Sequence, residues 1–141
     1  MKGRPLVSVV IPTKNSEKTL ETCLSSVKKQ TYPKIEIIIV DSYSDDATVE
    51  IADKFGVKII MTKEKLLGAR YIGLKESKGK YVLLLDSDQI LEDSSIERAV
   101  EIIKRYDMLC FEERTYESRT WIQKLFEADR RLIHKLAEKH L

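Results

Sequence analysis

Hydrophobic and polar positions along the chain alternate between two rhythms. Leu6-Val7-Ser8-Val9-Val10-Ile11 is a β-rich run that stops at Pro12. After the polar turn Thr13-Lys14-Asn15, apolar residues recur at Leu20, Cys23, Leu24 and Val27, the spacing of one helix face. A strand followed by a helix is predicted. The couplet then returns. Ile35 to Val40 reads as a second strand, and Ser44 stands as the N-cap of a helix whose inner face carries Ala47, Ile51, Ala52 and Phe55 and which Gly56 closes. Val57 to Met61 predicts a third strand, and Leu67 to Ser77 a shorter helix weakened by Gly68 and Gly73.

Tyr81-Val82-Leu83-Leu84-Leu85 is apolar without a break, the pattern of a strand buried on both faces, and is expected at the centre of a parallel sheet. Ser94-Ser95-Ile96-Glu97 has the form of a capping box opening a helix with Ile96, Ala99, Val100 and Ile103 inward. Met108 to Phe111 reads as a fifth strand. From Thr120, the apolar residues Trp121, Leu125, Leu132 and Leu136 mark a long amphipathic helix. The alternation predicts an α/β fold with a doubly wound, mostly parallel, Rossmann-like sheet and a long C-terminal amphipathic helix. At 141 residues a single domain is expected, with the βα core over 1–111 and the helical segment over 112–141. The stripe on the last helix, if left uncovered, invites a homodimer.

Composition narrows the function classes. Apolar residues at 43% exclude a disordered chain, and a net charge of +2 provides no field that would draw the whole chain onto nucleic acid or an anionic membrane. No run approaches a membrane span or the core of a signal peptide, so a cytoplasmic location is expected, free or at the membrane periphery. Cys23 and Cys110 have no second Cys or His at ligand spacing and are read as two buried thiols with no chemistry. His134 and His140, six apart on the last helix, share no face and are assigned no chemistry.

Candidate chemistry lies just after the strands, because open α/β sheets bind ligands outside their carboxyl ends. Strand one delivers Pro12-Thr13-Lys14-Asn15, strand two Asp41-Ser42 with Asp45-Asp46 beyond, and strand four Asp86-Ser87-Asp88. All three clusters are expected on one rim. An Asp-x-Asp pair is a common accident in a chain with nine Asp, and Asp86 and Asp88 fit either solvated turn acids or a carboxylate pair held together by Mg²⁺ or Mn²⁺. Asp41 fits a cap on its own turn or an acceptor for an N–H of a nucleobase. Asp45 and Asp46 suit the first turn of a helix, where the dipole favours negative charge. Arg70 could pair with a ligand phosphate or base, or with a surface acid.

Absences also count. No G-x-G-x-x-G follows strand one and no G-x-x-x-x-G-K-[ST] occurs, so dinucleotide oxidoreductases and P-loop enzymes fit poorly. A receiver-type signalling domain needs acids where Pro12-Thr13 and Met61-Thr62 stand. A nucleotidyltransferase would want a Gly-rich basic loop after strand one.

Four blocks together resemble the family 2 glycosyltransferases of the GT-A fold: Val7 to Asn15, Ile38 to Asp46, Gly68-Ala69-Arg70-Tyr71-Ile72-Gly73-Leu74, and Tyr81 to Asp88. The resemblance implies transfer of a sugar from a nucleotide-sugar donor, UDP-linked by preference, to an unknown acceptor. It implies that Pro12, Thr13, Asp41 and Arg70 surround the base, that Asp86, with Ser87 beside it, meets the ribose or sugar, and that Asp88, with Asp86, belongs to a metal motif holding Mn²⁺ or Mg²⁺ on the diphosphate. Two departures stand out: Ser42-Tyr43 replaces the commoner Asp-Gly, and Tyr71 stands where the family often has Asn. The likeness runs from about Leu6 to Phe111, and the acceptor half of the family is expected beyond Leu141, as in a truncated chain. The carboxylate that activates an acceptor is then expected there as well, with Glu112, Glu113 and Glu117 as local stand-ins or as loop acids paired with Arg114 or Arg119. The catalytic base is unassigned, and poor transfer by this chain is expected. The alternative is a non-catalytic nucleotide-binding or interaction module of the same fold.

Overall fold

A computed structural model describes residues 3–113. The expected helix from Thr120, its stripe Trp121, Leu125, Leu132 and Leu136, both His, Arg114, Glu117 and Arg119 lie outside the described residues. The chain divides into two compact units, Met1–Ile102 and Ile103–Leu141. The first contains β1 (Val7–Thr13), α1 (Leu20–Lys28), β2 (Ile35–Asp41), α2 (Thr48–Lys54), β3 (Lys58–Met61), α3 (Leu66–Glu76), β4 (Tyr81–Leu84) and α4 (Ser95–Ile102). The described part of the second contains the 3₁₀ turn Ile103–Arg105. Among the described residues no helix is long and apolar enough to cross a membrane.

The four strands form one parallel sheet in the order β3-β2-β1-β4. β1 is buried along its whole length because it has a neighbour on each edge. It runs through Pro12 rather than stopping there. Val10 C=O accepts from Leu85 N–H at 3.0 Å on the β4 side, and Pro12, two residues on, turns its missing N–H to that same side after the ladder has ended at Leu84. No ladder bond is lost.

The strand expected at the centre lies at the edge. Among the described residues β4 pairs only with β1, and Leu84 is 48% exposed. Nor are both its faces buried, since Tyr81, Val82 and Leu83 are only half-buried: an unbroken apolar run shows what could be covered and does not fix a strand's place in the order. The fifth strand is also absent: Met108 to Phe111 is irregular, with Met108 exposed. Four apolar residues make a strand only when a neighbour offers a ladder, and no ladder bond reaches them among the described residues.

The two faces are covered unequally. One carries the larger core, in which Val9, Ile11, Leu20, Leu24, Ile39, Ile96 and Val100 interdigitate under α1, α2 and α4. The other holds Val10, Ile38 and Val40 under α3 alone, through Ala69 and Ile72. Gly73 explains why a residue that weakens a helix is tolerated there, since a Cβ at this position would run into Val10. α2 begins at Thr48, not after Ser44, with Asp46 accepting from Thr48 N–H at 3.0 Å, and Gly56 ends it in the left-handed region at φ 64°.

Candidate functional site

Between β1 and β4 the chain reverses its direction of travel across the sheet, which makes the carboxyl ends of these two strands the topological switch point. The order places the ends of β2, β1 and β4 side by side, so the three polar clusters share one rim as expected. α3, returning over the opposite face, brings Arg70 to the same edge. Pro12 and Thr13 close β1 there, with Thr13 buried.

Asp41 is fully buried. Its Oδ1 accepts from the hydroxyls of Thr13 at 2.7 Å and Ser44 at 2.6 Å, and its Oδ2 accepts from the backbone N–H of Ser44 at 2.7 Å. The turn-capping role that the sequence left open is therefore present. Ser44, expected to cap a helix, serves this carboxylate instead, and its hydroxyl also accepts from Asn15 N–H at 2.8 Å. The loops after β1 and β2 are joined further by Lys14 Nζ donating to Tyr43 C=O at 2.6 Å and Asp45 N–H donating to Asn15 Oδ1 at 2.9 Å. Asn15 and Tyr43 both sit in the left-handed region, at φ 49° and 53°. Asn adopts it readily and Tyr does not, which is the physical reason glycine suits the position of Tyr43.

Asp45 and Asp46, expected in the first turn of a helix, lie just ahead of α2, and Asp46 accepts there from the Thr48 N–H. Burial would raise its pKa, but the Thr48 hydroxyl and the amides of Thr48 and Glu17 outweigh it and hold the pKa below the ordinary 3.8. Asp45 is exposed and stands 4.0 Å from Lys14 Nζ.

The fourth-strand cluster is organised differently. Asp86 Oδ1 accepts from Arg70 Nη2 at 2.5 Å, while the Nε of Arg70 is buried without a partner. The backbone of Asp86 is clasped by Gln89, whose side-chain Oε1 accepts from Asp86 N–H at 2.9 Å and whose N–H donates to Asp86 C=O at 3.0 Å. Ser87 Oγ lies 2.8 Å from Ser16 Oγ and ties this turn to the β1 loop. Asp88 is exposed and has no hydrogen bond or ion pair among the described residues. Beneath the turn, the Cys23 thiol donates to Asp86 C=O at 3.6 Å. Burial, then the charges of Asp88 and Asp86, push its pKa up to about 12, so it stays protonated and gains no chemistry.

Ser16, Gln89 and Cys23 were not picked out for the site by sequence. Each is an ordinary residue for its element, and only the sheet order puts Ser16 and Cys23 beside Asp86 and Ser87. Glu112 and Glu113 are exposed in an irregular segment, and so is Cys110, which the sequence suggested would be buried like Cys23: the strand expected to carry it does not form. A separate open cavity of about 410 Å³, lined by Val27, Gln30, Tyr32, Ile35, Val57 and Lys58, lies at the amino ends of β2 and β3. It is at the wrong end of a parallel sheet for the chemistry of the rim. No group of three or more His, Cys, Asp or Glu able to hold a metal exists among the described residues.

The sequence profile described as Glycosyl transferase family 2 matches residues 8–138. Among curated proteins, the glycosyltransferase GlyG of Streptococcus pneumoniae is 36% identical over 109 residues, covering 72% of this chain and 36% of GlyG. Among solved structures, TarS of Staphylococcus aureus in complex with UDP superposes with a TM-score of 0.72 at 31% identity, over 82% of this chain and 37% of that one. The mannosyltransferase PcManGT of Pyrobaculum calidifontis, in complex with GDP-Man and Mn²⁺, gives 0.68 at 25% identity, over 72% of this chain and 33% of that one. The chain thus spans 33–37% of the length of these three relatives, and its parallel sheet with flanking helices is the GT-A-like fold that its sequence resemblance implies.

Proposed function

This chain belongs to glycosyl transferase family 2, and on that premise we propose that its rim binds a nucleoside diphosphate sugar, UDP-linked in preference to GDP-linked, for transfer of the sugar to an acceptor. The observation that carries this is the contrast at the switch point between Asp88, exposed and without a partner among the described residues, and the Arg70–Asp86 pair next to it. A solvated acid is ordinary on a surface, but this one stands open to a ligand at the place where α/β sheets bind them. In this reading Pro12, Thr13 and Asp41 form the base end of the site, and Asp86 and Ser87 flank the ribose or sugar. Arg70, with an unsatisfied Nε, has donor capacity left for a ligand anion.

A divalent cation suits Asp88, with Asp86 as its second carboxylate. Two protein oxygens are few, but Mg²⁺ and Mn²⁺ commonly keep waters and take the remaining ligands from substrate phosphates. When bound, such an ion would offset the charge that builds on the leaving diphosphate. Arg70 neutralises Asp86 and so limits the repulsion between the two carboxylates. The Gln89 clasp and the Ser16–Ser87 contact fix the turn that presents Asp88.

The neighbours were crystallised with UDP or with GDP-Man and Mn²⁺, which supports a nucleotide-sugar partner without choosing the base. Calorimetry with UDP and GDP, with and without Mn²⁺, tests the reading. Heat with UDP that grows with Mn²⁺ is expected, and no heat under any condition would overturn it. Transfer from labelled UDP-sugars, assayed on the same protein, separates an enzyme from a module that binds without turnover.

A further inference from the structure

The outer face of α3 is apolar as well as the inner one. Ala69 and Gly73 are buried against the sheet, yet Leu67, Tyr71 and Leu74, at the i, i+4, i+7 spacing of a single stripe, are 79%, 61% and 51% exposed. Leu66 is exposed beside them. On the same side of the sheet Leu84, paired in register with Val10, is left half-bare. A helix apolar all round is ordinarily buried all round, so this stripe is a surface made to be covered.

Its surroundings say by what. Between residues 61 and 81 six basic residues stand against two acidic ones, a local excess hidden by the near-neutral total. Arg70 is spent on Asp86, and Glu76 is spent on Lys58 at 2.7 Å. Lys63, Lys65, Lys75, Lys78 and Lys80 are all exposed and make no ion pair among the described residues. They bracket the stripe, with Lys63 and Lys65 before it and Lys75, Lys78 and Lys80 after it, and Lys75 Nζ lies 5.7 Å from the Tyr71 ring centre. A second copy meeting this face about a two-fold axis would set the same five lysines against each other.

We propose that the outer face of α3 is a docking surface for an anionic lipid bilayer, with Leu67, Tyr71 and Leu74 entering the interface and the flanking lysines meeting lipid phosphates. An exposed apolar stripe with a basic border combines the two attractions, apolar burial and charge, that hold a protein surface on an anionic bilayer. The lysines supply attraction that falls with salt, and the stripe supplies the part that does not. Arg70, half-buried and paired with Asp86, is not part of that stripe. The proposal does not depend on nucleotide binding.

Co-sedimentation of the full chain with phosphatidylcholine vesicles, with and without phosphatidylglycerol, tests it. Binding is expected with phosphatidylglycerol and not without it. Each of Lys75→Ala and Lys78→Ala should weaken it roughly fivefold, and the double change Leu67→Ser, Leu74→Ser by roughly tenfold or more. All four positions are exposed, and unchanged melting curves would show that the variants fold. No partition onto anionic vesicles, equal partition onto neutral ones, or full binding by the variants would each overturn the proposal. So would a dimer in plain buffer that Leu67→Glu dissolves, because the stripe would then belong to a second copy.

Discussion

Asp41 and Asp88 are the same residue type on the same rim, yet one is fully buried with three hydrogen bonds and the other is exposed with none among the described residues. The difference follows from where their strands lie. β2 has neighbours on both sides, so the turn after it is hemmed in by the β1 loop, and an acid there must find donors or not be buried at all. β4 is an edge strand among the described residues, and although Arg70, Ser16 and Cys23 hold Asp86 and Ser87 in the turn after it, none of them reaches Asp88. Position in the sheet thus turns one carboxylate into a structural tie and leaves the other exposed on the rim.

That contrast makes its strongest demand on Asp41. Asp41→Ala strands the Thr13 and Ser44 hydroxyls and the Ser44 amide, and should cost about 3 kcal/mol of stability in chemical denaturation. Asp88→Ala should move the same curve by less than about 0.5 kcal/mol, while removing the Mn²⁺ dependence of UDP binding in calorimetry. Equal destabilisation by both variants would break the comparison.

Smaller effects sharpen it. Ser16→Ala removes the contact that ties the β4 turn to the β1 loop and should lower stability by about 1 kcal/mol, with a larger loss of nucleotide affinity than of stability. The thiols report on the same region. Near neutral pH a thiol reagent should modify exposed Cys110 and spare Cys23, which is buried and whose pKa is raised by burial and the two nearby acids. Rapid labelling of both in the native protein would show that the floor beneath Asp86 is open.

The smallest expected effect is on the acid limb of stability. The pKa of Asp46 is lower in the folded chain than its ordinary 3.8, so the stability it contributes is present above that value and is lost as the pH falls through the folded one. Asp46→Ala should lower the melting temperature slightly at neutral pH, and the difference from the parent chain should shrink as the pH falls below the ordinary carboxylate range, which flattens the acid limb of the profile.

Alternation of period-2 and period-3.6 segments was enough to place eight elements in the right order, because each buries one face, and that face is written into local spacing. The rim was equally legible: a parallel sheet puts every post-strand residue at one end, so Thr13, Asp41 and Asp86 to Asp88 had to meet there. Sheet order was not legible. Tyr81 to Leu85 looks like a central strand because apolar faces are local and edge neighbours are not, and Met108 to Phe111 looks like a strand because a pairing partner cannot be seen in four residues. Nor could spacing decide which acid would be tied and which left free. That depended on Thr13, Ser44 and Arg70 arriving from other elements, and hydrogen bonds between elements form only where tertiary packing brings the groups within 3 Å or so of each other.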